Sequence, residues 1–236
     1  MMVSDYQRRT RKILRECGAF VDGGHFVYNS GNHGDFYINK DALYMYPRKL
    51  DDICVMLTEV AQRTFDYQFD VVLAPAVAGV VLGQGIAYNV SLESGKDILF
   101  AYAEKNPFNS AHRTVRRGYE HIIKGRKVLL VDDITSTGKT LAAMAQAVAA
   151  LGGIAIGSVV ICDRGQVRTL KVLNPDGSVA ELRIEPLVEL DLQTFGANNC
   201  PLCKAGRPID TQVGQGNMLA ANLAAGLVSE DKHAID

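Results

Sequence analysis

The chain lacks the features that would assign it to a membrane, secreted or nucleic-acid-binding class. No apolar run reaches the roughly 18 residues that a membrane-spanning helix requires, and the basic N-terminal stretch contains no apolar signal core. The formal net charge is −1, so there is no broad basic face for non-specific nucleic-acid binding. We therefore expect a cytoplasmic protein with neither a membrane nor a nucleic-acid partner.

Cysteines are few and scattered, which argues against a disulfide-stapled secreted domain. The five cysteines are Cys17, Cys54, Cys162, Cys200 and Cys203. The first three are expected to fill the core. Cys200 and Cys203 have the spacing of half a zinc site, but the chain has no second such pair to complete four-coordinate zinc. A partner subunit could supply the missing ligands; the alternative is a structural turn with two thiols, and the flanking residues disfavour a redox motif.

Strand and helix alternate along most of the 236 residues, a length that favours one α/β core. The patterns predict strands at 36–39, 70–74, 98–101, 127–131 and 154–161, and helices at 5–17, 47–60, 79–89 and 141–151. This order predicts a central parallel sheet with helices on both faces and ligand-binding loops at the carboxyl ends of the strands. We expect the polar region 103–125 to be a long mobile loop, and the Ala-rich stretch after Asn217 to form a terminal helix.

One segment carries most of the chemistry, because it joins a buried strand to a helix through two acids and a run of hydroxyls. Its residues are Val128-Leu129-Leu130-Val131-Asp132-Asp133-Ile134-Thr135-Ser136-Thr137-Gly138-Lys139-Thr140. Backbone N–H groups at a helix start, with hydroxyls beside them, make a cradle for phosphate. The two carboxylates are suited to sugar hydroxyls or to a metal held through water. A P-loop would need glycine at Asp133, and plain helix capping would leave the full pattern unexplained.

This segment resembles the phosphoribosyl-diphosphate signature of type I phosphoribosyltransferases, and the resemblance is strongest to the orotate enzymes. Residues 29–40, read as N-S-G-N-H-G-D-F-Y-I-N-K, are similar to the family's N-terminal motif, and Cys162-Asp163-Arg164-Gly165 is similar to its strand-end D-R. The resemblance implies a type I phosphoribosyltransferase domain over 1–195 with an N-terminal hood (1–45). A C-terminal extension carrying the C-x-x-C would follow at 196–236.

The resemblance also implies a set of roles. Mg²⁺ would be the cofactor, held through the substrate near Asp132 and Asp133, and the enzyme would be a homodimer acting on 5-phosphoribosyl-1-diphosphate and a nucleobase. The donor would bind Ala78, Gly79, Asp132, Asp133, Ile134, Thr135, Ser136, Thr137, Gly138, Lys139 and Thr140. Phe36, Tyr37, Lys40 and Arg164 would contact the base, and the catalytic residues would be Lys105, Arg116, Arg117, Asp132 and Asp133.

Two departures from the family pattern bear on the base. Ala78 stands where the diphosphate loop often carries lysine, and the mobile-loop pattern R-K-x-x-K-x-H-G keeps only Lys105 clearly. A purine or other-base phosphoribosyltransferase is therefore the alternative enzyme. A non-catalytic module that senses phosphoribosyl diphosphate is the alternative from another class. Purely structural roles also stay open for several of these residues. Arg164 would then form a surface ion pair with Asp163, Phe36 and Tyr37 would be core aromatics, and the loop cations would be a solvated surface.

Overall fold

The computed structural model describes residues 2–28, 31–174, 176–190, 193–213 and 216, and these form two compact units. The larger unit comprises the described residues of Met1–Arg11 and Tyr46–Leu190, and the smaller those of Lys12–Met45 and Asp191–Asp236. The elements are α1 (Met2–Glu16), β1 (Phe20–Val27), β2 (His33–Ile38), α2 (Lys40–Tyr44), α3 (Pro47–Phe65), β3 (Val71–Pro75), α4 (Gly79–Ser94), β4 (Leu99–Lys105), β5 (Arg113–Val115), α5 (Glu120–Ile123), β6 (Lys127–Thr135), α6 (Lys139–Ala150), β7 (Ile154–Asp163), β8 (Thr169–Leu173), β9 (Val179–Glu189) and α7 (Pro201–Lys204).

A seven-stranded sheet organises the larger unit, in the order β5-β4-β3-β6-β7-β9-β8. Strands β4, β3, β6, β7 and β9 are parallel, which confirms the predicted parallel centre. The edge strands β5 and β8 are antiparallel to their neighbours and were not predicted. All the carboxyl ends of the parallel strands therefore meet at one edge of the sheet, where α/β proteins bind ligands.

Helices cover both faces of this sheet, as predicted. On one face, the α6 residues Leu141 and Met144 pack with Leu73 and Leu130 of the central strands. Alternation along a strand turns Ala74 to the other face. There α4 comes so close that a Cβ on Gly83 would lie 2.7 Å from that of Ala74. The buried centre thus fixes the ends of β3 and β6 within a rigid layer.

The region 103–125 is not the long irregular loop that its polar sequence suggests. Strand β4 runs on to Lys105, β5 pairs with it, and α5 follows before β6. Ala103, Val115 and Ile123 are buried, and the Tyr102 and Tyr119 rings lie 5.3 Å apart. The apolar contacts are too few and too widely spaced to show as a period in the sequence. The region is a short hairpin followed by one helical turn.

The smaller unit is built around the antiparallel pair β1 and β2. Phe36 is buried, with its ring centroid 4.1 Å from that of Phe20, while Tyr37 is half-buried, with its ring 5.7 Å from that of Phe26. The unit also contains the described residues from 193 onward, so it holds residues 12–45 of the predicted hood (1–45) together with the described part of the predicted C-terminal extension (196–236). The described hood residues up to Arg11 belong to the larger unit. Ser30 and the predicted helix after Asn217 lie outside the described residues. Nowhere in the described chain is a helix both long and apolar enough to cross a bilayer.

Candidate active site

The segment that joins β6 to α6 forms the centre of the candidate site. Gly138 adopts a left-handed conformation, with φ of 71°, and directly precedes α6. Its carbonyl accepts a hydrogen bond from the N–H of Ala142, so the helix begins at once. Ser136 and Thr137 are exposed in the turn, beside the helix start. The turn therefore presents hydroxyls and the positive end of a helix dipole on one side, as a phosphate cradle requires.

Asp132 and Asp133 lie inside β6, which continues to Thr135 instead of ending at the predicted Val131. Both carboxylates are buried, and each accepts a hydrogen bond from the next backbone N–H: Asp133 N–H to Asp132 Oδ1 at 2.9 Å, and Ile134 N–H to Asp133 Oδ1 at 2.7 Å. These bonds fix the orientation of each carboxyl group. Each residue thus supplies carboxylate oxygen in a set orientation, the ligand type that Mg²⁺ prefers.

The turn after β7 is tied directly to this segment. The N–H of Arg164 donates to the carbonyl of Thr135 at 2.8 Å, and a Cβ on Gly165 would lie 1.5 Å from the Ser136 carbonyl oxygen. Only glycine fits such an approach. The fully buried Asp163 accepts from the Gly165 N–H at 2.9 Å. Burial raises the pKa of Asp163, an effect opposed by the N–H groups of Gly165 and Val167. Arg164 and the cradle are therefore held by one backbone network, and the sequence alone did not reveal the role of Gly165.

The loop after β3 forms a second part of the same edge. The chain leaves β3 at Pro75, and α4 begins at Gly79 with Ala78 in front of it. A Cβ on Gly79 would lie 2.7 Å from the Pro75 ring, so the backbone turns tightly here. β3 and β6 are neighbours, and their carboxyl ends point the same way. This places the backbone amides of Ala78 and Gly79 at the same edge as the cradle.

The hairpin of β4 and β5 brings two cations together. Lys105 and Arg113 are direct cross-strand partners. Like charges in this arrangement repel each other unless an anion lies between them. The Arg113 atoms Nε and Nη1 are buried without a hydrogen-bond partner among the residues that the structure describes. The hairpin thus presents a pair of cations suited to an anion.

The two other predicted loop cations are placed differently. Arg117 forms a partly exposed ion pair with Glu104 at 2.9 Å, and Arg116 is exposed. The contact with Glu104 neutralises much of the charge that Arg117 could offer a substrate. Lys105 and Arg113 are therefore better candidates than Arg117 for contact with an anionic group, and Arg113 is not among the predicted catalytic residues.

The remaining predicted site residues belong to the smaller unit. Phe36 and Tyr37 lie on β2, where Phe36 is buried and Tyr37 is half-buried, and the half-buried Lys40 begins α2. Cys200 directly precedes α7, and Cys203 lies within it. Their neighbours are two histidines, His25 and His33, that the sequence did not single out.

A parallel sheet with an acidic strand end, a hydroxyl-rich turn into a helix, and cations on a neighbouring hairpin is the arrangement expected of a type I phosphoribosyltransferase. The sequence profile of the phosphoribosyl transferase domain matches residues 41–183. The chain belongs to this family.

Relatives agree with this membership, and a solved structure shares the fold. The chain is 34% identical to the orotate phosphoribosyltransferase of Caldanaerobacter subterraneus over 80% of its own length and 88% of that protein's. It is 29% identical to the Campylobacter jejuni orotate phosphoribosyltransferase, over 87% of this chain and 98% of the relative. The fold is similar to that of the Aeropyrum pernix orotate phosphoribosyltransferase, with a TM-score of 0.56, 21% identity, and coverage of 76% of this chain and 92% of that one.

Proposed function

We propose that the protein is a glycosyltransferase-type enzyme of pyrimidine biosynthesis that acts in the cytoplasm. It transfers the phosphoribosyl group of 5-phosphoribosyl-1-diphosphate to orotate and releases diphosphate, so that the product is orotidine 5'-monophosphate. The observation that carries this proposal is the β6–α6 segment, where two buried carboxylates precede an exposed turn of hydroxyls at a helix start. Relatives named orotate phosphoribosyltransferase, similar over most of the chain, support orotate as the base.

The donor's 5-phosphate would occupy the turn from Ile134 to Thr140. Backbone N–H groups before α6 and the hydroxyls of Ser136 and Thr137 would donate to its oxygens, and the helix dipole would favour its charge. Asp132 and Asp133 would accept hydrogen bonds from the ribose hydroxyls. Gly138 allows close approach of the backbone to the phosphate, because it has no side chain and adopts a positive φ.

Mg²⁺ fits this site, since buried carboxylate oxygens and diphosphate oxygens are its preferred ligands. When bound, the ion would neutralise charge on the departing diphosphate. Asp132 and Asp133 would orient the ribose hydroxyls and the water molecules around it. The amides of Ala78 and Gly79 would hold the diphosphate from the neighbouring loop, where Ala78 offers no side-chain charge.

Breaking the bond at the ribose C1 leaves positive charge on the sugar and negative charge on the diphosphate. Lys105 on the hairpin would neutralise the leaving group, and Arg113, Arg116 and Arg117 add charge nearby. Such preorganised charge stabilises a transition state most when water is excluded. Movement of the hairpin over the site would exclude it, and in a homodimer the hairpin would reach the neighbouring subunit's site.

Orotate is an anion, so its recognition needs a cation with directional donors. Arg164 presents a planar guanidinium from a turn that is bonded to the donor cradle. In the smaller unit, Tyr37 is half-buried beside Phe36, and both lie in the motif that resembles the family's base-contacting segment, as does Lys40. We assign these four residues to the base.

A steady-state assay of diphosphate release tests the proposed reaction. With Mg²⁺ and the donor present, orotate should support turnover, whereas hypoxanthine, guanine and uracil should support far less, because a site built around a charged hydrogen bond rejects bases that lack its partner. The reaction without any base provides the background rate. Preference for a purine would instead support the alternative enzyme, and no turnover with any base would support a sensing module.

A further inference from the structure

The smaller unit brings together four metal-binding side chains to which the transfer proposal gives no role. His25 lies on β1 and His33 begins β2. Cys200 directly precedes α7, and Cys203 lies within it. Their ligand atoms all lie within 4.8 Å of one another. We propose that these four residues bind a structural Zn²⁺ ion, which links the N-terminal hairpin to the C-terminal segment. This inference does not depend on the proposed transferase activity.

The spacing of the ligand atoms fits tetrahedral coordination. The Cys200 Sγ and Cys203 Sγ atoms lie 3.7 Å and 3.6 Å from His25 Nε2. Zinc at about 2.3 Å from sulfur and about 2.0–2.1 Å from nitrogen gives a sulfur–nitrogen edge of about 3.6 Å. Cys203 Sγ to His33 Nδ1 is 3.2 Å, and the two ring nitrogens are 2.9 Å apart. Small side-chain shifts open these two shorter edges to a full tetrahedron.

A neighbouring hydrogen bond selects the nitrogen that the His25 imidazole would offer. His25 Nδ1 lies 2.8 Å from the carbonyl oxygen of Arg207, which can only accept, so Nδ1 must carry the proton. The lone pair of neutral His25 is then on Nε2, which faces the cysteines. Metal-binding histidines are generally fixed in this way by a carbonyl or carboxylate on the opposite nitrogen.

The backbone holds the two halves of the cluster in place. His33 exchanges both backbone hydrogen bonds with Phe195, at 2.7 Å and 2.8 Å, and the N–H of Asp210 donates to the carbonyl of His25 at 2.8 Å. Gly206, with φ of 66°, closes the turn after the cysteines by donating its N–H to the carbonyl of Cys203. The cluster is therefore bracketed by backbone contacts on both sides and is preorganised.

Burial and charge indicate a structural role. His25, His33 and Cys200 are buried, and Cys203 is partly exposed, which leaves a path for the ion. Two thiolates and one divalent ion make a neutral group, so the charge cost of burial is small. On binding, the two thiols release their protons to solvent. Four protein ligands leave no open position, and mixed sulfur and nitrogen ligation favours zinc over magnesium or calcium.

The alternative is a metal-independent cluster, in which the imidazoles and thiols only hydrogen-bond to one another or the cysteines oxidise to a disulfide. It differs from the proposal in metal content, which is measured without substrate. The result is therefore distinguishable from a failure of the transferase proposal. A site completed by His25 and His33 also needs no ligands from a partner subunit, which the C-x-x-C alone had suggested.

Metal analysis of the full-length protein, purified under reducing conditions and given Zn²⁺, tests the proposal. We expect about one zinc ion per chain, in agreement with a single closed site. Cys203→Ser should weaken zinc binding more than about a hundredfold, beyond the range for loss of a supporting hydrogen bond. Cys54→Ser, which alters a buried thiol of the larger unit, should retain the metal. No bound zinc in the wild type, or unchanged affinity in Cys203→Ser, would overturn the proposal.

Co²⁺ substitution in the wild type keeps the test decisive even where Cys203→Ser fails to fold. Tetrahedral ligation by two thiolates should give intense d–d bands and sulfur-to-cobalt charge-transfer absorption, and Zn²⁺ should displace both. A chelator should lower the melting temperature of the zinc-loaded protein, because the ion binds the folded state. Octahedral cobalt spectra together with a chelator-insensitive melting temperature would contradict the site.

Discussion

Replacing Lys105 with alanine should lower kcat by about a hundredfold while the affinity for 5-phosphoribosyl-1-diphosphate changes much less. Lys105 lies at the exposed end of β4, opposite Arg113 on the hairpin. Its charge is worth most when the bond to diphosphate breaks, since negative charge on the leaving group is then greatest. A loss confined to kcat indicates an interaction made in the transition state.

Lys96→Ala is the matched control, because Lys96 is an exposed lysine just before the opposite end of β4. It should leave kcat and the Michaelis constants at wild-type values. Arg117→Ala should cost less than Lys105→Ala, because Glu104 already neutralises Arg117. Equal rates for Lys105→Ala and the wild type would remove Lys105 from the site and leave it as a solvated surface charge.

Replacing Arg164 with alanine should weaken orotate binding by on the order of a hundredfold, with donor affinity unchanged. Hydrogen bonds to charged groups contribute about 1.5–3 kcal/mol, so loss of the guanidinium fork accounts for this effect. Arg164→Lys should recover little, since an ammonium group lacks the planar pair of donors. Calorimetric titration of orotate, with the donor site saturated by an unreactive analogue of 5-phosphoribosyl-1-diphosphate, would measure the loss of orotate affinity.

Arg168→Ala provides the control for Arg164. Arg168 follows in the same turn, but it forms a partly exposed ion pair with Glu189. Its loss should leave orotate binding unchanged. Unaltered orotate affinity in Arg164→Ala would assign Arg164 to the surface instead of the base site, and equal losses in both variants would indicate a general disturbance of the turn.

The buried centre of the fold was predictable because its residues carry strong local signals. The run Val128–Val131 reads directly as a buried strand, and Pro47 marks the start of α3. The extension of β6 through Asp132 and Asp133 was not predictable, since aspartate is unfavourable in strands and is held here by backbone bonds. Strand β9 was not predicted, although its sequence carries a strand signal: buried Leu182 and Ile184 alternate with charged residues.

The same distinction holds for the candidate sites: parts built from one continuous segment were predictable, and parts that need distant segments to meet were not. The proposed donor cradle is a continuous segment, so its composition alone was enough to propose its chemistry. The contact between Gly165 and Ser136 depends on two strand ends meeting, and no local pattern reports it. Likewise, His25 and Cys200 are 175 residues apart along the chain, so half of the proposed zinc site was visible as C-x-x-C and the other half only in the fold.

Calorimetric titration of 5-phosphoribosyl-1-diphosphate with Mg²⁺ tests most directly whether the β6–α6 segment holds the donor. The wild type should bind one donor per chain, and so should Gly196→Ala, whose new Cβ meets nothing within 4 Å. Gly165→Ala should lose this binding, because its Cβ would force the Ser136 carbonyl out of the cradle. Absence of donor binding in the wild type, or wild-type affinity in Gly165→Ala, would contradict the assignment.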